Sequence, residues 1–124
     1  FKSCSPDYAD GGQMRDFIYV KDCANVMWCL LENPSVNGIY NLGTGKARTW
    51  NDLIAAVFSS MGRKTNIQYI EMPEPLRNQY QYFTQAQMDK LKKAGCHVNF
   101  SSLEDSVRDY VTNYLQNADP YLGK

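Results

Sequence analysis

The chain has 124 residues, of which 44% are hydrophobic and 21% are charged. This length and composition are typical of one globular domain with a modest core, and they exclude a disordered chain. The 13 basic and 13 acidic residues give a formal net charge of zero, which argues against a protein that binds nucleic acid or an anionic membrane through bulk charge. No apolar run in the sequence reaches the ~20 residues that a membrane span requires.

Residues 15–22, with the sequence RDFIYVKD, combine three signals. Residues 17–20 are aromatic and β-branched, which predicts a buried strand. Asp22 follows at once and is a suitable N-cap for a helix. Arg15 precedes the strand, where its planar guanidinium is well placed to bind a phosphate or a carboxylate. The simpler alternative is a surface arginine paired with Asp16 or Asp22, because most charges at such edges are only solvated.

The first third of the chain predicts a strand–helix–strand unit. Residues 1–14 are rich in turn formers and predict a loop or a loose hairpin. Apolar residues recur at helical spacing over residues 23–32, and Pro34 ends that helix. Residues 39–42 then predict a second short strand, after the one at 17–20. This order predicts a βαβ unit whose strands pair in parallel through a right-handed crossover.

The middle of the chain predicts a helix, a strand and an irregular stretch. Thr49 and Asp52 form a variant of the capping box, and the apolar stripe after them predicts a helix that ends at Gly62. Residues 67–70 predict a third strand. Two prolines within residues 72–75 argue against regular structure there.

Two further helices are expected towards the end of the chain. Thr84 and Gln87 have the spacing of a capping box before a short helix that ends at Gly95. Ser101 and Glu104 have the same spacing before the last helix. Both helices carry an apolar stripe on one face, so we expect them to pack against the rest of the domain.

Residues 76–83 predict an aromatic loop that contains Tyr80, Tyr82 and Phe83. The residues alone predict a small core beneath this loop, because aromatic side chains bury a large apolar area. We keep that structural role for Tyr82 and Phe83.

The four cysteines are Cys4, Cys23, Cys29 and Cys96. Their spacing predicts neither a zinc site nor a dense disulfide framework, and Cys23 and Cys29 are expected to be small core or boundary residues. This use of cysteine favours a reducing, cytoplasmic setting. His97 is the only histidine, and we expect it at a helix end or on the surface.

Residues 43–48, GTGKAR, begin like a dinucleotide-binding fingerprint but have Arg48 where the fingerprint has glycine. They do not form a P-loop either, because Ala47 stands in place of Ser or Thr. No Ser-His-Asp or Cys-His arrangement and no fixed carboxylate pair is evident. We therefore expect no catalytic residue, no metal site and no cofactor site within this chain.

Three segments carry a resemblance to a known family. Residues 15–22 (RDFIYVKD) and 40–45 (YNLGTG) resemble the C-terminal half of extended short-chain dehydrogenases/reductases, the NAD-dependent epimerase/dehydratase family. Residues 73–86 (PEPLRNQYQYFTQA) resemble the branch of ADP-glyceromanno-heptose 6-epimerases, with its pattern P-x-x-L-x-x-x-Y-Q-x-F-T-Q-A. Residues 1–3 are similar to the segment that borders the nucleotide in that branch.

The resemblance implies an α/β fold, namely the C-terminal portion of an extended SDR fold with a βαβ parallel strand pair and a small, mostly helical substrate lobe. Residues 1–124 would form one substrate-binding domain, and the N-terminal Rossmann half that binds NADP would lie outside this chain. That half also carries the Tyr-x-x-x-Lys pair of the family, which this sequence lacks. The chain alone is therefore expected not to catalyse epimerisation. Asp22 would cap its helix and Asn41 would orient the end of a strand.

The resemblance also implies a substrate site. Arg15 would hold the diphosphate of an ADP-sugar, and Tyr80 would hydrogen-bond the diphosphate or the sugar. Phe1, Lys2 and Ser3 would lie along the adenosine. The departure at Gln79, where a basic residue is common, weakens any second diphosphate contact.

Other functions stay open at this point. The chain could be a stand-alone module that binds nucleotide sugars or forms oligomers without enzymatic activity, because strands cut from a larger sheet leave open edges that favour homo-oligomers. A different sugar nucleotide is a further alternative, because the Arg15 motif does not specify the base or the sugar. The branch resemblance implies a role in making lipopolysaccharide precursors.

Overall fold

The computed structural model describes residues 1–121. Its helices are α1 (Val20–Glu32), α2 (Trp50–Ser60), α3 (Glu74–Arg77), α4 (Asp89–Lys93) and α5 (Leu103–Tyr110), and a π-helical segment (Val111–Leu115) continues α5. The strands are β1 (Met14–Arg15) and β2 (Arg48–Thr49). The expected mostly helical lobe is thus confirmed.

The small sheet is antiparallel. In it Met14 of β1 lies opposite Thr49 of β2, and Arg15 lies opposite Arg48. On its other side Met14 forms a parallel bridge with Phe83. Strand β1, which ends in Arg15, is therefore joined to the start of α2 on one side and to the aromatic loop on the other.

The predicted parallel strand pair is not formed, and this corrects the βαβ prediction. Residues 17–20 and 39–42 are not strands, and neither are residues 67–70, of which only the Ile70 carbonyl accepts a bond, from the Lys2 N–H at 2.8 Å. A strand requires partners along its hydrogen-bonding edges. No strand among residues 1–121 supplies them for these segments. Asn41 consequently lies exposed in a stretch without regular structure.

Helix α1 starts earlier than predicted and without the predicted cap. Its N-cap is Tyr19, which makes no side-chain capping bond. Asp22 lies inside the first turn and is 4% exposed. Its carboxylate accepts hydrogen bonds from the backbone N–H of Ser101 at 2.9 Å and from the Ser101 hydroxyl at 3.2 Å. The helix ends at Glu32, as the proline two residues later predicts.

One predicted capping box is confirmed and another is shifted by one residue. Thr49 and Asp52 form the complete reciprocal box at the start of α2. At α5 the cap is Ser102, whose hydroxyl accepts the N–H of Asp105. Ser101 is unavailable as a cap because its hydroxyl and N–H already bind the buried carboxylate in α1. A tertiary contact therefore decides where the last helix begins.

Two local predictions around the aromatic loop were wrong. Pro75 lies within the first turn of α3, where a helix tolerates proline because the missing N–H has no intrahelical acceptor. Thr84 does not cap α4: its backbone N–H binds the Met14 carbonyl at 3.2 Å, and the N-cap is Met88. The predicted end of this helix is confirmed, because Gly95 takes a φ of 88° just after it.

Two separate clusters of buried side chains form the core. The first joins α1 to α4 and the segment after it, through Val26, Met88, Leu91 and Cys96. The second joins α2 to α5 and the π-helical segment, through Ala56, Val107 and Val111. In the first cluster Cys29 is disulfide-bonded to Cys96, with Cα atoms 6.0 Å apart. Spacing along the chain did not indicate this pair.

A polar network ties the start of α1 to α5. The Tyr19 hydroxyl donates to the Asp109 carboxylate at 2.5 Å, and Lys21 Nζ lies 2.7 Å from the same oxygen. The hydrogen bond from Lys21, followed by that from Tyr19, lowers the pKa of Asp109 to about 2. Burial and the bond to Asp109 raise the pKa of Tyr19 to about 12. The network therefore keeps its charges throughout the neutral range.

We expect this network to lose its stabilising effect in acid. The folded-state pKa of Asp109, about 2, lies below the value of about 4 that an unfolded aspartate has. Its contribution is therefore complete above about pH 4 and disappears as the pH falls towards 2. Urea unfolding across this range should show a smaller pH dependence for Asp109→Asn than for the wild type. Asp7→Asn, at an exposed loop carboxylate, should follow the wild type, and an unchanged slope in Asp109→Asn would contradict the assignment.

Candidate functional site

Arg15 is half-buried at the end of β1. Its guanidinium carbon lies 5.1 Å from the centroid of the Tyr80 ring, which is the geometry of a cation–π contact. Nη1 donates to the Met14 carbonyl at 2.7 Å. These two contacts restrict the guanidinium, and its other N–H groups remain available as donors.

Four aromatic side chains form a continuous group beside this arginine, which we call the aromatic cluster: Phe1, Tyr8, Tyr80 and Tyr82. Phe1 meets Tyr80 edge-on at 6.4 Å between centroids, Tyr80 meets Tyr82 at 5.4 Å, and Tyr82 meets Tyr8 at 5.1 Å. The Tyr82 hydroxyl accepts the N–H of Cys4 at 2.9 Å, which fits its predicted structural role. Phe83, in contrast, is 52% exposed and does not form the small core predicted for it.

Backbone hydrogen bonds explain why Tyr80 reaches Arg15. The Met14 N–H donates to the Tyr82 carbonyl at 2.8 Å, and the Thr84 N–H donates to the Met14 carbonyl at 3.2 Å. Residues 82–84 therefore run parallel to β1. The Gly11 N–H donates to the Phe1 carbonyl at 3.2 Å and brings the chain start to the same edge.

The structure brings together three of the five predicted site residues, and the other two have different partners. Lys2 Nζ lies 2.6 Å from the Glu71 carboxylate, and that hydrogen bond raises the pKa of Lys2. The Ser3 N–H binds the Asp10 carboxylate at 2.7 Å, and the Ser3 hydroxyl donates to the Ser5 carbonyl at 2.9 Å. The polar groups of Lys2 and Ser3 are thus already hydrogen-bonded to loop residues.

Asp16 is a residue that sequence reasoning considered only as an ion-pair partner of Arg15. Its carboxylate instead accepts hydrogen bonds from the N–H and hydroxyl of Thr44, the N–H of Gly45 and the N–H of Ala86. Partial burial opposes ionisation, but these bonds outweigh it and hold the pKa of Asp16 below its usual value. The other proposed partner of Arg15, Asp22, instead accepts the N–H of Ser101. Arg15 is thus not paired with either acid.

The glycine-rich turn at residues 43–45 does not fit a dinucleotide. The N–H groups of Thr44 and Gly45, which a pyrophosphate would need, already point at the Asp16 carboxylate. A Cβ on Gly43 would lie 2.5 Å from an Asp16 oxygen and 2.5 Å from the Ala86 Cβ. Glycine is required there by the packing of the protein on itself.

Two concave features lie near β1, and Arg15 lines neither of them. The larger, of about 630 Å³, is lined by Asp16 and Phe17, which directly follow Arg15, and by apolar residues of α5. The other, a cleft of about 560 Å³, is lined by basic and hydroxyl side chains that include Lys46, Lys92 and Ser102, and also by His97, which is exposed as expected. None of Arg15, Phe1 or Tyr80 lines this cleft. The aromatic cluster is therefore an open surface outside both concave features.

One side of α1 exposes apolar side chains. Its members, which we call the apolar face, are Val20, Ala24, Met27, Trp28 and Leu31 of α1 together with Ile39 and Leu42 of the following segment. Leu31 is 72% exposed and Ile39 is 88% exposed. Exposed apolar side chains grouped along one side of a helix are typical of an interaction site in soluble proteins.

Residues 1–121 contain neither a metal-binding cluster nor a membrane-spanning helix. No three His, Cys, Asp or Glu side chains in this part of the chain are grouped so that they could hold a metal ion. None of the described helices combines the length and the apolar character needed to cross a bilayer.

Comparison with known proteins gives consistent results. Residues 6–43 match the model of the NAD dependent epimerase/dehydratase family. The chain is 67% identical over 122 residues to an ADP-L-glycero-D-manno-heptose-6-epimerase of Nitratidesulfovibrio vulgaris, which covers 98% of the chain and 38% of that relative. It is 45% identical to a protein of the same name from Fusobacterium nucleatum, over 98% of the chain and 39% of the relative.

A solved structure shares the fold. This is a UDP-N-acetylglucosamine 4-epimerase from Methanobrevibacter ruminantium in complex with UDP-N-acetylmuramic acid. It matches with a TM-score of 0.67 and 26% identity, over 82% of the chain and 31% of that structure. The chain thus spans less than two fifths of the curated relatives that it matches. It belongs to the NAD dependent epimerase/dehydratase family and corresponds to the C-terminal part of the extended short-chain dehydrogenase/reductase fold.

Proposed function

We propose that this chain is the substrate-binding part of a nucleotide-sugar epimerase and that it binds an ADP-sugar. The observation that carries the proposal is the Arg15 guanidinium held over the Tyr80 ring, 5.1 Å from its centroid, at the open end of β1. The names of its relatives support an ADP-linked heptose as the substrate.

The chemistry of the site suits a diphosphate. A guanidinium can donate two parallel hydrogen bonds to phosphate oxygens, and Arg15 has donors left after its bond to Met14. The contact with Tyr80 restricts the side chain before the ligand arrives, which reduces the entropy lost on binding. The Tyr80 hydroxyl is available to donate to a phosphate or sugar oxygen. Phe1, which packs edge-on against Tyr80, supplies an apolar surface for the adenosine.

We propose only secondary contacts for Lys2 and Ser3. Each would have to leave a loop partner before its side chain could reach an adenosine, because Lys2 binds Glu71 and Ser3 binds Ser5. Breaking the exposed ion pair between Lys2 and Glu71 costs little free energy. We therefore propose Arg15, Tyr80 and Phe1 as the main contacts and the other two as secondary ones.

The chain would bind and orient the sugar but not exchange its hydride. A nicotinamide cofactor supplies hydride transfer in a family of this name. The turn most similar to a dinucleotide site is instead filled by Asp16. We propose that NADP is held by the part of the relatives that this chain does not cover, and that this chain is not catalytically competent alone.

The exposed apolar face favours a second candidate function. A module that binds nucleotide sugars, or that only assembles into oligomers, would use Trp28, Leu31 and their neighbours to contact another chain or domain. The apolar face is equally suited to a Rossmann half of the same protein. Binding of ligand and the state of association therefore have to be measured separately.

Calorimetric titration of the 124-residue chain tests the proposal. We expect saturable but weak binding of ADP-glyceromanno-heptose, and at least about tenfold weaker binding of adenosine, because a sheltered charge-assisted bond contributes roughly 1.5–3 kcal/mol. ADP-glucose and UDP-glucose, which differ only in the base, serve as the control for the base. Equal binding of adenosine and the ADP-sugar would remove the diphosphate from the site, and a lack of any saturable signal would support the assembly function.

A further inference from the structure

We propose that Asp16 is a positioning residue that holds Arg15 in register with Tyr80. The inference rests on the proposed function, because it concerns the same site. Asp16 directly follows Arg15, so whatever fixes its backbone also fixes the end of β1.

Two separate segments donate hydrogen bonds to this one carboxylate. One oxygen accepts the N–H and the hydroxyl of Thr44, and the N–H distance is 2.8 Å. The other oxygen accepts the N–H of Gly45 at 2.9 Å and the N–H of Ala86 at 3.1 Å. The carboxylate thus links the end of β1 to the turn at 43–45 and to the chain that leaves the aromatic loop.

The bond to Ala86 is the one that sets Tyr80. Residues 82–84 already run beside Met14 through two backbone bonds. The Asp16–Ala86 bond extends this pairing past the end of β1. It holds the aromatic loop on the arginine side of the strand, so that the Tyr80 ring stays under the guanidinium.

The donors that surround the carboxylate leave little choice of side chain. Asp16 is the acceptor in all four hydrogen bonds, so the site requires a side chain that only accepts, such as an ionised carboxylate. Asparagine would place its own N–H₂ against an N–H. The carboxylate in turn restricts residue 43 to glycine, because a Cβ there would lie 2.5 Å from the Asp16 oxygen. The turn at residues 43–45 and the Asp16 carboxylate therefore depend on each other.

The test uses a signal from the arginine itself. A guanidinium above an aromatic ring has its side-chain proton resonances shifted upfield by the ring current, so NMR of the 124-residue chain reports the Arg15–Tyr80 contact without any ligand. Asp16→Asn should lose most of this upfield shift and should weaken ADP-sugar binding about tenfold. Asp52→Asn is the matched control, because Asp52 also accepts several bonds but at the start of α2. It should keep both the shift and the affinity.

The outcomes separate the two ideas. A folded Asp16→Asn variant that keeps the upfield shift would overturn the inference. If Asp16→Asn does not fold, Ala86→Pro removes the N–H that donates to Asp16 and should lose most of the shift, and an unchanged shift in that variant would overturn the inference too. Loss of the shift in Asp16→Asn, with no ADP-sugar binding by the wild type, would support the positioning role and refute the proposed function.

Discussion

Arg15→Ala should weaken binding of an ADP-sugar to this chain by about tenfold or more, the loss expected for one sheltered charge-assisted contact. The guanidinium is half-buried against Tyr80 and is not neutralised by Asp16 or Asp22. Truncation would therefore remove the proposed diphosphate donors, and no neighbouring cation of the site within residues 1–121 would replace them. Titration calorimetry with the same ADP-sugar measures the change.

The controls distinguish the shape of the arginine from its charge. Arg15→Lys keeps the positive charge but loses the planar fork, so its affinity should fall between those of the wild type and Arg15→Ala. Arg63→Ala removes an arginine at an exposed position after α2 and should bind like the wild type. If Arg15→Ala and Arg63→Ala bind equally well, Arg15 does not belong to the site.

Leu91→Ala should lower the free energy of unfolding by roughly 2–5 kcal/mol, the usual loss for a fully buried leucine. Leu91 is 2% exposed and packs in the cluster with Val26, Met88 and Cys96. Helix α4 has only five residues, too few to be stable without tertiary contacts. We expect the loss of this side chain to loosen the whole of α4, measured by urea unfolding followed by circular dichroism.

Ile39→Ala is the matched control for Leu91→Ala, because it removes a side chain of the same size. Ile39 is 88% exposed, so its truncation should change the free energy of unfolding by less than about 0.5 kcal/mol. A large loss in Ile39→Ala would mean that the apolar face is covered in solution. Sedimentation of the wild-type chain would then show whether a second copy covers it.

Local signals in the sequence were sufficient where a short stretch makes all of its own contacts. The Thr49–Asp52 capping box lies within four residues, and it formed as predicted. The ends of α1 and α4 were also correct, because Pro34 and Gly95 act through their own backbone restrictions. The resemblance in residues 15–22, 40–45 and 73–86 identified the family from motifs alone.

Strands could not be predicted in the same way. Residues 17–20 and 39–42 have the composition of strands but are not paired here, since pairing depends on neighbours that composition does not specify. Met14 and Arg15 do pair, with Thr49 and Arg48. Nothing in the local pattern of two residues indicates that.

The sequence by itself determined the family, the helical segments and the candidate roles of Arg15 and Tyr80. Only the tertiary structure decided which predicted site residues meet: it placed Phe1 with Tyr80 and engaged Lys2 with Glu71. It also gave Asp16 a role that no pattern suggested. The physical reason is distance along the chain, because Asp16 receives its hydrogen bonds from residues 28 to 70 positions away, and such contacts leave no periodic trace in the sequence.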